Sequence, residues 1–309
     1  MKSIKVQNEY VRIEVLPELG CKIVSIQDIV HDHEWLWKDS KRPLKPAKFG
    51  GLYQDFDISG FDECFPNIGI SPYPFDSTLT LPDHGDLWSI PWAVKTEDSS
   101  IIAEVKGRSL PYIFSRIMEL DGPRITFKYQ VQNEEDSEIS FIWSAHPLFK
   151  VSGEMRILLN ETPEMTKEFG FGGRLGPDGL DGHLGKYQLY HWPNTLNENN
   201  EIVDLSFVTL EAPVTDKVVL NSPLDGKLSL EDSKSGRSLN FRFSPVEIPY
   251  IGICFNLGAW PFNDNPGTWV AIEPTTGCTD KLDDSLARGV ANSLAAGEVR
   301  SWSFEIELM

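Results

Sequence analysis

Only four cysteines occur in the 309 residues, Cys21, Cys64, Cys254 and Cys278, and no two of them form a C-x-x-C pair. That spacing argues against a zinc cluster and against a small disulfide-stapled scaffold, and points to reduced thiols in a cytoplasmic protein. Long apolar runs are missing as well. No segment approaches the roughly 20 apolar residues that cross a bilayer. The first residues, Met1-Lys2-Ser3-Ile4-Lys5-Val6, carry no apolar stretch of the signal-peptide kind, so no membrane partner is expected. Basic side chains are scarce, 28 against 46 acidic ones, for a formal charge of −18. Such a surface repels phosphate backbones and excludes nucleic acid as an expected partner. Helical periodicity is nearly absent too. One short helix is predicted over about 280–287, with Thr279 as N-cap and Leu282 and Leu286 on one face.

What the chain has in abundance is period-two alternation. Ile125, Phe127, Tyr129 and Val131 alternate with polar residues, as do Leu239, Phe241 and Phe243, then Trp302, Phe304, Ile306 and Leu308, and, near the start, Val11, Ile13 and Val15. Segments of this kind place one face in a core and the other in water or on a second layer. Turn signals punctuate them at Asp121-Gly122-Pro123, Pro177-Asp178-Gly179, Asp225-Gly226 and Ser235-Gly236. There is no internal repeat and no linker-like tract. The pattern predicts an all-β protein, a large antiparallel β-sandwich forming one domain over residues 1–309. Two poorly periodic stretches, 38–91 and 161–200, read as long loops of the kind that carry function.

Three short elements concentrate the ionisable chemistry in a chain with six histidines: Pro82-Asp83-His84-Gly85-Asp86-Leu87-Trp88, Trp143-Ser144-Ala145-His146-Pro147-Leu148-Phe149 and Ile272-Glu273-Pro274-Thr275-Thr276-Gly277. His146 and Glu273 each follow an apolar run and precede a proline, which places them at rigid strand ends where backbone pairing stops. His84 precedes a glycine that admits close approach of another backbone or a ligand. Two imidazoles and a carboxylate form a general acid–base set. Taken singly, a strand-end histidine is more often a satisfied structural residue, and a glutamate after an apolar strand is commonly a solvated edge or the partner of a lysine.

The order and flanks of these elements resemble the aldose 1-epimerase (galactose mutarotase-like) family. The resemblance implies a mutarotase-type β-sandwich in which His84 orients the substrate, His146 is the general acid and Glu273 the general base. The implied ligand is a small-molecule carbohydrate, an aldose or a relative, and the implied reaction is interconversion of its anomers through the open-chain aldehyde. That chemistry needs neither a metal nor a redox cofactor, and none is expected. The chain departs from the family where Gly60-Phe61-Asp62-Glu63-Cys64-Phe65-Pro66-Asn67 stands in place of an Asn-Arg pair, and where Asp86 follows His84-Gly85 in place of a second glycine.

Further candidates surround the set. Indoles stack on the C–H faces of sugars, and among nine tryptophans Trp88 and Trp260 are the preferred platforms, with Trp92, Trp143 and Trp269 also close to the motifs. Asp62 and Glu63 offer carboxylates to sugar hydroxyls or, with Glu273, a glycosidase-type pair. Arg116, in a predicted strand, is a candidate for a hydroxyl or phosphate, and the basic island 41–48 for a phosphate. His31-x-His33 has the alternation of a two-imidazole metal site but no third ligand nearby. Two other functions fit the same residues: a non-catalytic carbohydrate-binding or sensing protein, and a glycoside hydrolase. No motif specifies the oligomeric state.

Overall fold

Ten alternating residues in Tyr112–Asp121 point in turn to a core and to solvent, and the strands Arg124–Asn133 and Val299–Leu308 keep the same rhythm beside it. A computed structural model describes residues 1–175, 189–262 and 265–309. Among the described residues these strands belong to a nine-stranded antiparallel sheet that faces a thirteen-stranded one. The Gly122-Pro123 pair makes the tight turn between two of them, Gly122 at φ 56°, a left-handed conformation that glycine adopts without strain. The sequence signal at 177–179 lies outside the described residues.

Aromatic side chains fill the space between the sheets. Phe61 meets Phe127 at 5.4 Å and Phe149 meets Phe241 at 5.9 Å, each pair reaching from one sheet to the other, and Trp143, just before strand Ser144–Lys150, meets Trp302 at 5.1 Å. The larger sheet is an antiparallel β-sandwich layer of unusual burial at its centre. Its strands Phe61–Cys64, Ser144–Lys150, Thr215–Asn221, Tyr250–Leu257 and Thr268–Thr275 are buried on both faces, one against the second sheet and the other beneath loops and a cavity. Burial on both faces removes the need for polar alternation.

Several sequence expectations are corrected by the fold. The poorly periodic stretches 38–91 and 161–200 are not loops throughout: they contain Phe61–Cys64, Glu164–Phe171 and the short strands Tyr190–His191 and Asn194–Leu196. The first lacks alternation because all four of its residues are buried, the second because it slips register between Lys167 and Phe169. The helix is Leu282–Ala287, and Lys281, not Thr279, is its N-cap, without a side-chain cap. The Thr279 hydroxyl instead bonds to the Lys281 carbonyl and the Ser285 hydroxyl. His31 lies in a turn outside the strand that holds His33, its Nδ1 2.8 Å from Asp28, so the two imidazoles do not alternate along one strand. No helix among the described residues is long and apolar enough to cross a membrane.

Candidate active site

The outer face of the large sheet carries His146 and Glu273, and His84 stands beside them on a turn. Ser144 pairs with Thr275 and Leu148 with Ala271, which sets His146 opposite Glu273 on the neighbouring strand. On the other side Glu273 pairs with Gly252, Ala271 with Cys254 and Trp269 with Asn256. One strand further, Cys254 pairs with Lys217 and Asn256 with Thr215, and these meet Phe169 and Phe171. Period-two geometry thus sends His146, Glu273, Cys254, Lys217 and Phe169 to one face. Above them opens a cavity of about 500 Å³ whose wall also includes Tyr53, Asp83, His84, Trp260 and Asp280.

At the floor of this cavity Glu273 and His146 face each other, Oε1 to Nε2, across 3.8 Å. That gap is longer than a hydrogen bond. The second carboxylate oxygen lies 2.6 Å from Lys217 Nζ, which also binds Asp280 at 2.7 Å. Burial works to lower the Lys217 pKa, but Asp280 and Glu273 outweigh it and hold the ammonium well above its ordinary value. Burial raises the Glu273 pKa, opposed by Lys217, so the carboxylate is a stronger base than a solvated one. Behind Asp280, Glu168 accepts its backbone N–H at 3.2 Å, and burial together with Asp280 pushes the Glu168 carboxyl up to about 7.

Gly252 makes the Glu273–Lys217 pair sterically feasible. A Cβ at that position would stand 2.9 Å from Glu273 Oε2 and 3.3 Å from Lys217 Cε. Gly252→Ala is therefore expected to displace the carboxylate and lower turnover on the order of 10–100-fold with the fold retained. Steady-state rates beside a thermal melt check this, and an undiminished rate would remove Gly252 from the site's construction.

His146 is 6% exposed, and its Nδ1 has no hydrogen-bond partner among the described residues. Burial, with His84, Lys217 and Lys22 nearby, lowers its pKa well below 6.5, so the ring is neutral at neutral pH. His84 stands edge-on to it at 5.1 Å between ring centroids. The His84 backbone is left-handed at φ 57° and its N–H donates to the Ile68 carbonyl, a strained conformation of the sort that recurs at functional sites. Its Nδ1 lies 2.9 Å from Asp83. Burial would raise the Asp83 carboxyl, but the bond to His84 overrides it and the group is held below its ordinary value. Tyr53 stacks on His84 at 4.1 Å and meets His146 edge-on at 5.6 Å, so one ring braces both imidazoles.

The other sequence candidates divide sharply. Trp260 lines the cavity. Trp88 does not: it is buried behind Tyr53 at 5.1 Å and spends its indole N–H on the Asp83 carbonyl, so it supports the wall and offers no sugar platform. Asp62 lies beneath the wall, where it accepts from the Tyr53 hydroxyl at 2.9 Å and binds Lys22 at 3.0 Å. Glu63 and Arg116 lie between the sheets, fully buried and paired at 2.9 Å. Tyr129 and Trp143 also donate to the Glu63 carboxylate. Neither residue reaches the cavity, because strand Phe61–Cys64 alternates and Glu63 falls on the inner face. The glycosidase-type use of Asp62 and Glu63 with Glu273 is not assembled.

Trp92 and Trp143 belong to the core, whereas Trp269 lines the cavity. Asp86 accepts from the Arg108 and Ser109 backbone amides and from the Ser109 and Tyr112 hydroxyls. It thus ties the His84 loop to the second sheet, which accounts for an aspartate after His84-Gly85. In the basic island Arg42 pairs with Asp39. No group of three or more His, Cys, Asp or Glu among the described residues is placed to hold a metal ion. Lys217, Asp280, Tyr53 and Asp83 were not legible as cavity residues. A lysine directly before the apolar run Val218-Val219-Leu220 was the one available signal, since a buried lysine requires a partner.

No protein-family model and no curated protein sequence matches the chain. Solved structures do. Slr1438 from Synechocystis sp. PCC 6803 superposes with a TM-score of 0.70 at 13% identity, covering 99% of this chain and 95% of that one. A galactose mutarotase related enzyme from Lactobacillus acidophilus gives 0.69 at 16% identity, covering 100% and 97%. A galactose mutarotase-like protein from Clostridium acetobutylicum gives 0.66 at 18% identity, covering 99% and 94%. The chain has the galactose mutarotase-like β-sandwich fold. At these identities the likeness is one of fold, and function rests on the site.

Proposed function

We propose that the protein is an aldose 1-epimerase, with Glu273 as base, His146 as acid and His84 as the group that orients the sugar. The observation that carries this reading is the 3.8 Å opening between Glu273 Oε1 and His146 Nε2 at the floor of a sugar-sized cavity. Glu273 takes the proton of the C1 hydroxyl as the bond from C1 to the ring oxygen breaks. His146 Nε2 gives its proton to the ring oxygen from the imidazolium form and returns to the neutral imidazole favoured by its lowered pKa. Rotation about C1–C2 presents the other carbonyl face, and both protons return as the ring closes. Burial, with the positive field of His84, Lys217 and Lys22, lowers the His146 pKa and so makes its imidazolium a strong acid toward the ring oxygen.

Polarimetry on freshly dissolved α-glucose and α-galactose tests the reading: the approach to equilibrium should quicken in proportion to protein concentration. A rate equal to that of buffer, on sugars that demonstrably bind, would favour a binding or sensing protein.

The pH dependence follows from the direction of the Glu273 shift. The base must be ionised, and its pKa is raised above 4.5, so activity should fall with acidification at a midpoint above 4.5. Lys217→Met removes the cation that opposes this rise and should move the acid limb to still higher pH. A wild-type limb at or below 4.5, or no movement in the variant, would contradict the assignment of Glu273 as base.

A further inference from the structure

Lys22, Asp62, His146 and Glu273 stand in one row across four neighbouring strands of the large sheet. Ile23 of strand Lys22–Asp28 pairs with Phe61, which sets Lys22 beside Asp62. Asp62 pairs with His146, and His146 stands opposite Glu273 on the next strand. Each of the four is at most 6% exposed. Directly opposed residues of an antiparallel pair share a face, with Cβ atoms about 4.5–5.5 Å apart. His146 therefore has a carboxyl group on either side.

The two ring nitrogens are treated differently. Nε2 faces Glu273 across 3.8 Å. Nδ1 has no hydrogen-bond partner among the described residues, and neither has Asp62 Oδ1. The other Asp62 oxygen is taken, by the Tyr53 hydroxyl at 2.9 Å and Lys22 Nζ at 3.0 Å. A buried carboxyl oxygen and a buried ring nitrogen, each left over on paired positions, carry a desolvation cost. A shared proton, direct or relayed by one water, removes it.

The charges around the ring favour the same pairing. Lys22 also binds Asp57 at 2.8 Å, so one ammonium serves two buried carboxyl groups. His84, Lys217 and Lys22 all act against a positive His146 ring. Asp62 and Glu273, its neighbours in the row, are the groups placed to favour one.

We infer that Asp62 is the positioning residue of the acid: its Oδ1 accepts the Nδ1 proton of His146, which leaves Nε2 as the nitrogen that exchanges a proton with the sugar. The inference rests on the reading of His146 as acid. The imidazolium gives its Nε2 proton to the ring oxygen as the bond to C1 breaks, and keeps Nδ1–H on Asp62. The lone pair now bare at Nε2 takes the same proton back when the ring closes. In the opposite tautomer Nε2 would hold its proton and the lone pair would point to Asp62, leaving the return step without an acceptor. Which nitrogen carries the proton is set by the hydrogen bond that the other one makes.

Long-range proton–nitrogen NMR on protein labelled with ¹⁵N-histidine tests this, the His146 signals being those that His146→Asn removes. In wild type the neutral ring should carry its proton on Nδ1. In Asp62→Asn, Lys22 can only donate, so it claims the amide oxygen and turns the NH₂ toward His146, and the neutral ring should switch to Nε2–H. Lys22 keeps the Asp57 carboxylate and carbonyl, so the variant should fold, which a thermal melt checks. Its kcat for anomeric exchange should fall on the order of 100-fold, with KM within about twofold. A structural role alone would not move the tautomer. A bare Nδ1 in wild type, a tautomer that the variant leaves in place, or an undiminished kcat overturns the role of Asp62 and leaves the anomerase reading standing. If Asp62→Asn does not fold, the wild-type spectrum decides. No anomeric exchange by wild type, with an Nδ1–H that Asp62→Asn abolishes, overturns the anomerase reading and keeps the Asp62–His146 pair.

Discussion

Glu273→Gln should lower anomeric exchange by roughly 10²–10⁴-fold, the span that a positioned acid or base contributes, while the protein still folds and binds sugar. Glutamine keeps the size of the side chain, so the space left by Gly252 remains filled. Lys217 keeps its contact with Asp280. What disappears is the one cavity carboxylate that faces His146 at 3.8 Å, and with it the acceptor for the C1 hydroxyl proton. Exchange rates beside a saturation-transfer binding curve separate the two effects. Turnover comparable to wild type would remove Glu273 from the role of base.

Arg116→Met should destabilise the fold by about 3–5 kcal/mol, because it strands a buried charge. Glu63 and Arg116 are both fully buried, and burial already raises the Glu63 carboxyl against the opposition of Arg116. With the guanidinium gone, the hydroxyl of Tyr129 and the indole of Trp143 remain as donors, but no cation does. The melting temperature should fall on the order of 10 °C, and Arg116→Met/Glu63→Gln should recover part of the loss because neither charge is then left alone. Activity per folded molecule should stay within about twofold. An unchanged melting temperature with a raised KM would instead return Arg116 to the sugar-binding role that sequence alone suggested.

The sandwich was legible because the long strands of the nine-stranded sheet are half-buried. Arg124–Asn133 and Val299–Leu308 bury one face only, and that geometry writes itself as period two. The central strands bury both faces, so Phe61–Cys64 left no alternation to read. The same cause explains the misplaced candidates. In the sequence Asp62 and Glu63 look like an acidic loop; in a strand they point to opposite faces, one beneath Tyr53 and one into the core with Arg116. His146 and Glu273 do not stand at strand ends as the prolines after them suggested. Each lies inside a strand, Ser144–Lys150 and Thr268–Thr275, whose pairing runs on through Pro147 and Pro274. It is the pairing of these two strands that brings them together beside the strained turn of His84. Lys217 reaches Glu273 through strand pairing, and Asp280 binds Lys217 from the short segment that follows the Glu273 strand; no short motif encodes the meeting of Lys217 with Glu273. Tyr53, which braces both imidazoles, sits in a three-residue 3₁₀ turn with nothing in its neighbours to mark it.

The most direct test of the central claim is two-dimensional exchange NMR on a reducing sugar labelled at C1, at anomeric equilibrium, with wild type beside Glu273→Gln and His146→Asn. Cross-peaks between the α and β signals should grow in proportion to wild-type protein and drop to the buffer level in both variants. Cross-peaks no stronger than in buffer with wild type, on a sugar whose binding is seen in the same sample, would contradict the proton-transfer roles of Glu273 and His146 and leave a carbohydrate-binding protein on a mutarotase-like fold.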